Sequence, residues 1–108
     1  MLSKTQRLNL KIDFSRVIKG KRTETPHFIL YSSPAVSEVS RVGISIRTKN
    51  FGKAYNRNRA RRLTSQAVQS IYDSLPKQLD LIIMPKSGVL EIPVLLLEEE
   101  IKSVLSGD

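Results

Sequence analysis

The amino-acid sequence predicts an α+β fold, a two-layer sandwich in which helices cover one face of a sheet of three or four strands. The chain has 108 residues, which is enough for one modest core and too few for two. Apolar residues alternate between helical and extended spacing in the order α-β-β-α-β-α. No internal repeat or linker-like tract divides the chain. We therefore expect a single domain over residues 1–108.

The first helix is predicted between Asp13, interpreted as its N-cap, and Gly20, which ends it. Its polar side carries Arg16. Its apolar face is formed by residues at i, i+3 and i+4 spacing: Phe14, Val17 and Ile18.

Two strands are predicted next. Residues 27–33 are rich in β-formers and bounded by prolines. Both faces of this strand are apolar, so its second face needs another layer or forms the floor of a groove. Residues 40–48 alternate between apolar and polar, and their polar side is electropositive because it carries Arg41 and Arg47.

The second half of the chain contributes two more helices and one strand. Helical spacing returns between Lys53 and Leu75, and the nearly continuous apolar run from Leu79 to Met84 is typical of a buried strand. The last helix begins near Pro93, which suits a first helical position. This helix carries three consecutive glutamates, which we expect to face solvent.

Positive charge is concentrated in the first part of the chain. The net charge is +8, but residues 1–62 hold fifteen basic and three acidic side chains, a net of +12, whereas residues 63–108 carry a net of −4. Such a charge on a small domain favours the binding of a polyanion such as nucleic acid, because phosphates that the protein neutralises release their counterions. Nucleic acid is therefore the leading partner, with a solvated basic surface or a membrane surface as the alternatives.

Several classes of site are excluded by composition. The chain has no cysteine and only one histidine, His27, which excludes a disulfide scaffold, a thiol nucleophile and a zinc site of the usual kind. Acids in the basic half are scattered, so we expect neither catalytic nor metal-ligating residues on the protein. No apolar run is long enough to span a membrane, and the first residues do not form a secretory signal, so we expect a cytoplasmic protein with no membrane partner.

The most informative segment opens the central helix. It contains one lysine, one asparagine and four arginines that we predict to bind RNA: Lys53, Arg57, Asn58, Arg59, Arg61 and Arg62. A helix N-terminus disfavours cations, by about 0.3–1 kcal/mol each when exposed. A bound phosphate would turn this energetic cost into a gain, because it interacts favourably with the arginines, the free backbone N–H groups and the helix dipole. The four guanidinium groups surround the apolar stripe, so they could contact more than one strand of a folded nucleic acid.

This run, Lys53-x-x-x-Arg57-Asn58-Arg59-x-Arg61-Arg62, resembles the protein subunit of bacterial ribonuclease P. Segments that agree in order are 28–31, 41–46 and 80–86, together with Arg7-Leu8 and the first helix, so the resemblance covers about residues 7–105. It implies a fold like domain 2 of ribosomal protein S5, with a left-handed βαβ crossover around the central helix. General topology rules favour the opposite hand.

The resemblance also implies a function. The protein would bind a large catalytic RNA and help it remove the 5′ leader of precursor tRNA, with hydrolysis performed by the RNA and by Mg²⁺ bound mainly to that RNA. We expect a monomeric protein in a 1:1 ribonucleoprotein. The arginine-rich helix would contact the catalytic RNA near its active centre.

A second surface implied by the resemblance is a cleft between the first helix and the sheet, which would receive the single-stranded leader. Its residues would be three side chains able to contact bases and three cations able to contact phosphates: Phe14, Ile18, Tyr31, Arg16, Arg47 and Lys49. Aromatic rings suit unpaired bases because stacking tolerates any sequence.

Two other functions stay open at this point. A ribosomal or RNA-chaperone component would bind RNA without stimulating leader removal. A DNA-binding regulator is a third possibility, although the sequence offers no helix-turn-helix spacing.

Overall fold

A computed structural model describes residues 4–36, 38–75 and 78–106. Four strands and four helices follow one another in this order: α1 (Leu10–Val17), β1 (Lys21–Glu24), β2 (Phe28–Pro34), β3 (Arg41–Ile44), the single turn α2 (Thr48–Phe51), α3 (Ala54–Ile71), β4 (Leu79–Pro85) and α4 (Val94–Ser106). The α+β class and the predicted sequence of elements are confirmed. Strand β1 and the helical turn α2 are additions that the sequence did not predict.

The strands form one sheet in the order β1-β2-β4-β3. Strand β4 pairs antiparallel with β2, from Phe28 opposite Pro85 to Pro34 opposite Leu79. It pairs parallel with β3, from Arg41 opposite Asp80 onward. Helix α3 lies in the connection between these two parallel strands, so the βαβ unit lies where the resemblance implies it.

The larger core lies on the sheet face that α3 and α4 cover. Alternate residues of the strands, such as Phe28, Leu30, Leu81 and Ile83, are buried there against the helices. The helices contribute apolar stripes of the predicted spacing: Ala60, Ala67, Val68 and Ile71 from α3, and Leu97 and Ile101 from α4. Burial of these faces is what holds two helices of modest propensity on the sheet.

The opposite face of the sheet is covered in part by α1. A smaller core of Leu8, Val17, Ile82 and Met84 lies between this helix and the strands. Helices therefore cover both faces of the sheet, not one. The apolar second face of β2 already indicates this layer, because apolar side chains on both faces of a strand favour burial of both faces.

Three details differ from the sequence prediction. Helix α1 begins earlier, with Asn9 as its N-cap, and the Asn9 side chain accepts a hydrogen bond from the Lys11 N–H at 3.0 Å. Asp13, the predicted cap, lies in the first turn and is nearly buried among arginines. Strand β3 ends at Ile44 rather than reaching residue 48.

The third detail concerns the glutamates of α4. Glu100 does not face solvent, because its carboxylate accepts hydrogen bonds from the Thr25 hydroxyl and from the backbone N–H of His27. It also lies 2.7 Å from His27 Nδ1. Burial raises the pKa of Glu100, but the hydrogen bonds from His27 and Thr25 outweigh that effect and hold the pKa below its usual value. Glu100 therefore fastens α4 to the turn between β1 and β2.

Gly20 allows α1 to pass directly into the sheet. A Cβ at this position would lie 2.0 Å from the carbonyl oxygen of Ser32 in β2. The sequence prediction gives Gly20 only the role of ending the helix. The structure shows that the close approach of β2 requires glycine there.

Candidate nucleic-acid interface

The first turns of α3 form a strongly basic surface. The helix begins after Lys53, which has extended backbone angles and provides no side-chain cap, and the first turn contains no acid. Asn58, Arg59, Arg61 and Arg62 are exposed. Within the described ranges, none of the lysine and arginine side chains of this segment forms an ion pair with a carboxylate. The protein itself therefore leaves the positive potential of this surface uncompensated.

Arg57 is hydrogen-bonded to the backbone that precedes the helix. Its Nη1 donates to the carbonyl oxygen of Gly52 at 3.2 Å. Gly52 has a φ of 68°, the left-handed conformation that glycine adopts without strain, and it separates the α2 turn from α3. This contact orients the Arg57 side chain before any ligand arrives, which reduces the entropy lost on binding.

A groove continues the basic surface toward the N-terminal segment. It has a volume of about 410 Å³ and runs along the outer edge of β3, where Leu8 N–H bonds to the Val42 carbonyl at 3.0 Å. Its floor is apolar, and its rim includes Arg7, Arg61 and Arg62. Among the described residues, those that line the groove include no acid. Arg7 is thus a cation of this surface, although the sequence suggests no role for it beyond agreement with a family pattern.

A second surface lies between α1 and the exposed part of the sheet. Phe14, Ile18 and Tyr31, which the resemblance assigns to a leader cleft, pack together on the smaller core and are only partly buried. Ile29 adds a further apolar side chain. The structure therefore brings these three predicted residues together, with their rings and methyl groups partly accessible.

Arg22 borders this cleft from strand β1. It lies opposite Tyr31 in the strand register, and a hydrogen bond with Tyr31 raises the pKa of its guanidinium above the usual value. Arg22 also reaches Glu24 at 3.3 Å. The prediction omits Arg22 because β1 is short and mostly polar, with no apolar alternation to reveal a strand.

The three cations predicted for the cleft have different surroundings. Arg47 and Lys49 are exposed and follow the end of β3, outside the apolar cluster of the cleft. Arg16 is instead engaged by groups of the protein itself: it pairs with Asp80, lies 3.1 Å from Asp13, and donates to the Pro34 carbonyl at 3.3 Å. Arg16 thus has a structural role that its position on the polar side of a helix did not predict.

Asp80 is the centre of this ion-pair network. Its side chain is fully buried, and both Arg16 and Arg41 bind it. Burial raises the pKa of Asp80, but hydrogen bonds from Arg41 and Arg16 lower it further than burial raises it, so the carboxylate stays charged. The outer side of β3 is consequently less electropositive than the sequence predicts, because Arg41 is neutralised here.

Comparison with known proteins assigns this arrangement to a family. The family model described as Ribonuclease P matches residues 2–107. The chain belongs to this ribonuclease P protein family. It is 35% identical to the ribonuclease P protein component of Herpetosiphon aurantiacus, over 81% of this chain and 71% of that protein. It is 30% identical to that of Brevibacillus brevis, over 96% and 83% of the two chains.

Solved structures of ribonuclease P proteins share the fold. The protein from Thermotoga maritima superimposes with a TM-score of 0.82 at 26% identity, covering 94% of this chain and 96% of that one. The protein from Staphylococcus aureus has a TM-score of 0.77 at 24% identity, with 95% and 94% covered. The resemblance suggested by the arginine-rich helix is therefore confirmed. The chain is a protein component of ribonuclease P, with the role in RNA binding and tRNA processing that belongs to the family.

Two further observations concern membrane-spanning helices and metal-ligating side chains. No helix in the described ranges is long and apolar enough to cross a membrane. The same residues contain no group of three or more histidine, aspartate or glutamate side chains placed to hold a metal ion.

Proposed function

We propose that the protein binds the catalytic RNA of ribonuclease P through the basic surface of α3. The observation that carries this proposal is the group of cations at the start of α3, Lys53, Arg57, Arg59, Arg61 and Arg62, which have no acidic partner among the described residues. Phosphates would supply the missing counter-charge and would gain from the helix dipole at the same place. Asn58, exposed between the arginines, can donate to and accept from a ribose or a base edge.

The cleft beside α1 is proposed to receive the 5′ leader of precursor tRNA. Phe14 and Tyr31 offer partly exposed rings for unpaired bases, and Ile18 adds an apolar contact. Arg47 and Lys49 keep the phosphate contacts that the resemblance implies for them. Arg16 is held by its ion pair with Asp80. We therefore expect it to act on a leader phosphate through its charge. Arg22 is added as a cation on the edge of the cleft.

In this proposal the protein has no catalytic residue, and hydrolysis belongs to the RNA with its Mg²⁺. The protein acts by lowering the repulsion between two polyanions and by holding the leader in place. One protein would bind one RNA in the cytoplasm. The cations that belong to α3 and those that border the cleft would then contact two different RNA elements at once.

Reconstitution with the cognate catalytic RNA tests the proposal. Leader removal should be faster at low Mg²⁺ when the protein is present, because protein cations replace part of the screening that Mg²⁺ provides. The double variant Arg57→Ala, Arg59→Ala should lose most of this stimulation. Binding of RNA without any stimulation would instead indicate the alternative role, a non-enzymatic RNA-binding component, and would refute the proposed function.

A further inference from the structure

Tyr55 differs from every other aromatic residue of the protein. The chain has three tyrosines, three phenylalanines and no tryptophan, and all six aromatic residues lie in the described ranges. Five of them are buried or partly buried. Tyr55 is 65% exposed in the first turn of α3. Most of the ring surface is therefore open to solvent and available to a ligand.

The neighbours of Tyr55 indicate what would cover the ring. At about 100° per residue, its side chain leaves α3 roughly opposite the buried stripe of Ala60 and Ile71, on the solvent side. Asn58 and Arg59 lie three and four positions further on, which places them beside the ring on the helix surface. Arg62 lies one further turn along, on the same side. All three neighbours are exposed.

The charges around the ring exclude an ordinary protein partner of mixed charge. No acidic side chain occurs between residues 42 and 72, so the surface around Tyr55 is cationic and polar. An exposed ring in such surroundings fits a ligand that combines negative charge with a flat apolar face. An unpaired nucleotide has both, since its phosphate suits the arginines and its base stacks on an aromatic ring.

We propose that Tyr55 is a stacking site for an unpaired base of the catalytic RNA, with Arg59 and Arg62 binding the adjoining phosphates. This inference rests on the proposed function of α3 and adds to it a contact of a different physical kind. The arginines attract any polyanion, whereas a ring selects a place in the RNA where a base is free of its helix. Tyr55 would therefore help to set where α3 binds on a folded RNA.

The variant Tyr55→Trp provides a direct probe, because the chain contains no other tryptophan. Its fluorescence should be strongly quenched when the catalytic RNA is added, and the ring should become protected from acrylamide. Leu95→Trp is the matched control, since Leu95 is 71% exposed on α4, the helix that carries the acidic residues. Its emission should change little. Equal quenching at both positions, or none at position 55, would overturn the proposal.

Affinity measurements separate stacking from charge. Tyr55→Ala and Tyr55→Leu should each weaken binding of the catalytic RNA by about fivefold to a hundredfold, whereas Tyr55→Phe should bind like the wild type. The dependence of affinity on salt should be unchanged in Tyr55→Ala and less steep in Arg59→Ala. Only the arginine neutralises a phosphate, and a neutralised phosphate releases its counterions. Full affinity of the leucine variant, or a less steep salt dependence in the alanine variant, would contradict stacking.

The two proposals fail in different ways. If the wild-type protein does not bind the catalytic RNA, or binds it equally well after Arg57→Ala and Arg59→Ala, the proposed function of α3 fails. If those arginine variants weaken binding while Tyr55→Ala does not, the RNA surface is correct and only the stacking site is wrong.

Discussion

Arg41 binds Asp80 through two hydrogen bonds, 3.2 Å from Nε to Oδ1 and 3.0 Å from Nη2 to Oδ2. The pair joins the first residue of β3 to the strand beside it, and Arg16 reaches the same carboxylate from α1. One buried aspartate therefore ties together three elements that carry or border the proposed RNA surfaces. This arrangement orients α1 on the sheet and with it the cleft.

Replacing Asp80 should destabilise the fold. Asp80→Asn would remove the fully buried counter-charge of Arg41 and Arg16 and leave them only Asp13, and we expect a loss of about 3 kcal/mol in the free energy of unfolding. Urea denaturation followed by circular dichroism measures this loss. Asp73→Asn, at an exposed position, is the control and should change stability little. A loss below about 1 kcal/mol for Asp80→Asn would mean that the network is not structural.

Stability should also fall in acid. The folded-state pKa values of Asp80 and Glu100 are both lowered, so the unfolded chain takes up these protons at a higher pH than the folded one. Their contribution is present above the ordinary carboxyl pKa, about 4, and is lost as the pH falls through that value toward the folded pKa. Denaturation series from pH 7 to pH 3 should show a smaller loss in Glu100→Gln than in the wild type. Parallel curves would refute the prediction for Glu100.

Gly20→Ala should destabilise the protein, although the position is exposed. The added Cβ would meet the Ser32 carbonyl oxygen at 2.0 Å, so α1 or β2 must shift, at a cost of about 1–3 kcal/mol. Gly88→Ala is a suitable comparison, because its Cβ would lie 3.4 Å from a His27 ring carbon, an ordinary contact. Thermal denaturation of the two variants should therefore differ clearly, and equal midpoints would disprove the steric explanation.

The two RNA surfaces should respond to different substitutions. Arg57→Ala and Arg59→Ala should weaken binding to the catalytic RNA, since each removes a cation from α3. Tyr31→Ala should mainly reduce the preference for precursor over mature tRNA, because only the precursor carries a leader to stack on the ring. Titrations with both RNAs measure the two quantities. Similar effects of all three variants on both quantities would argue for one surface instead of two.

Arg7 should contribute to RNA affinity through the groove beside β3. Arg7→Ala should weaken binding of the catalytic RNA and reduce the salt dependence by about one counterion, without changing the preference for precursor tRNA. Lys102→Ala removes one positive charge from α4 and serves as the matched control. If both variants weaken binding equally, the effect comes from net charge and the groove has no particular role.

Much of the fold could be predicted because its signals are local. The strand over Leu79–Pro85 is an apolar run interrupted only by Asp80, and the stripe of α3 repeats at helical spacing whatever the helix packs against. The short strand over Lys21–Glu24 could not be predicted, because its residues are mostly exposed and polar. This segment becomes a strand because it pairs with β2, and its own residue composition does not reveal that pairing.

The proposed RNA surface could likewise be predicted in part. Clustered arginines at the start of a predicted helix are visible in the sequence, and so is the absence of acids around them. The exposure of Tyr55 among them depends on the tertiary structure, in which the other five aromatic rings are buried or partly buried. The assignment of Arg16 to leader phosphates could not anticipate Asp80, which lies 64 residues away in the chain.

The sequence by itself determined the order of the main helices and strands apart from β1 and α2, the concentration of positive charge before residue 63 and the family to which the chain belongs. These properties depend on residue types at short spacing. Only the tertiary structure decided which sheet face α1 covers, that Asp80 neutralises Arg16 and Arg41, and that Glu100 binds the turn at His27. Each of these depends on contacts between residues far apart in the chain, and packing selects them from many pairings that local physics leaves equally possible.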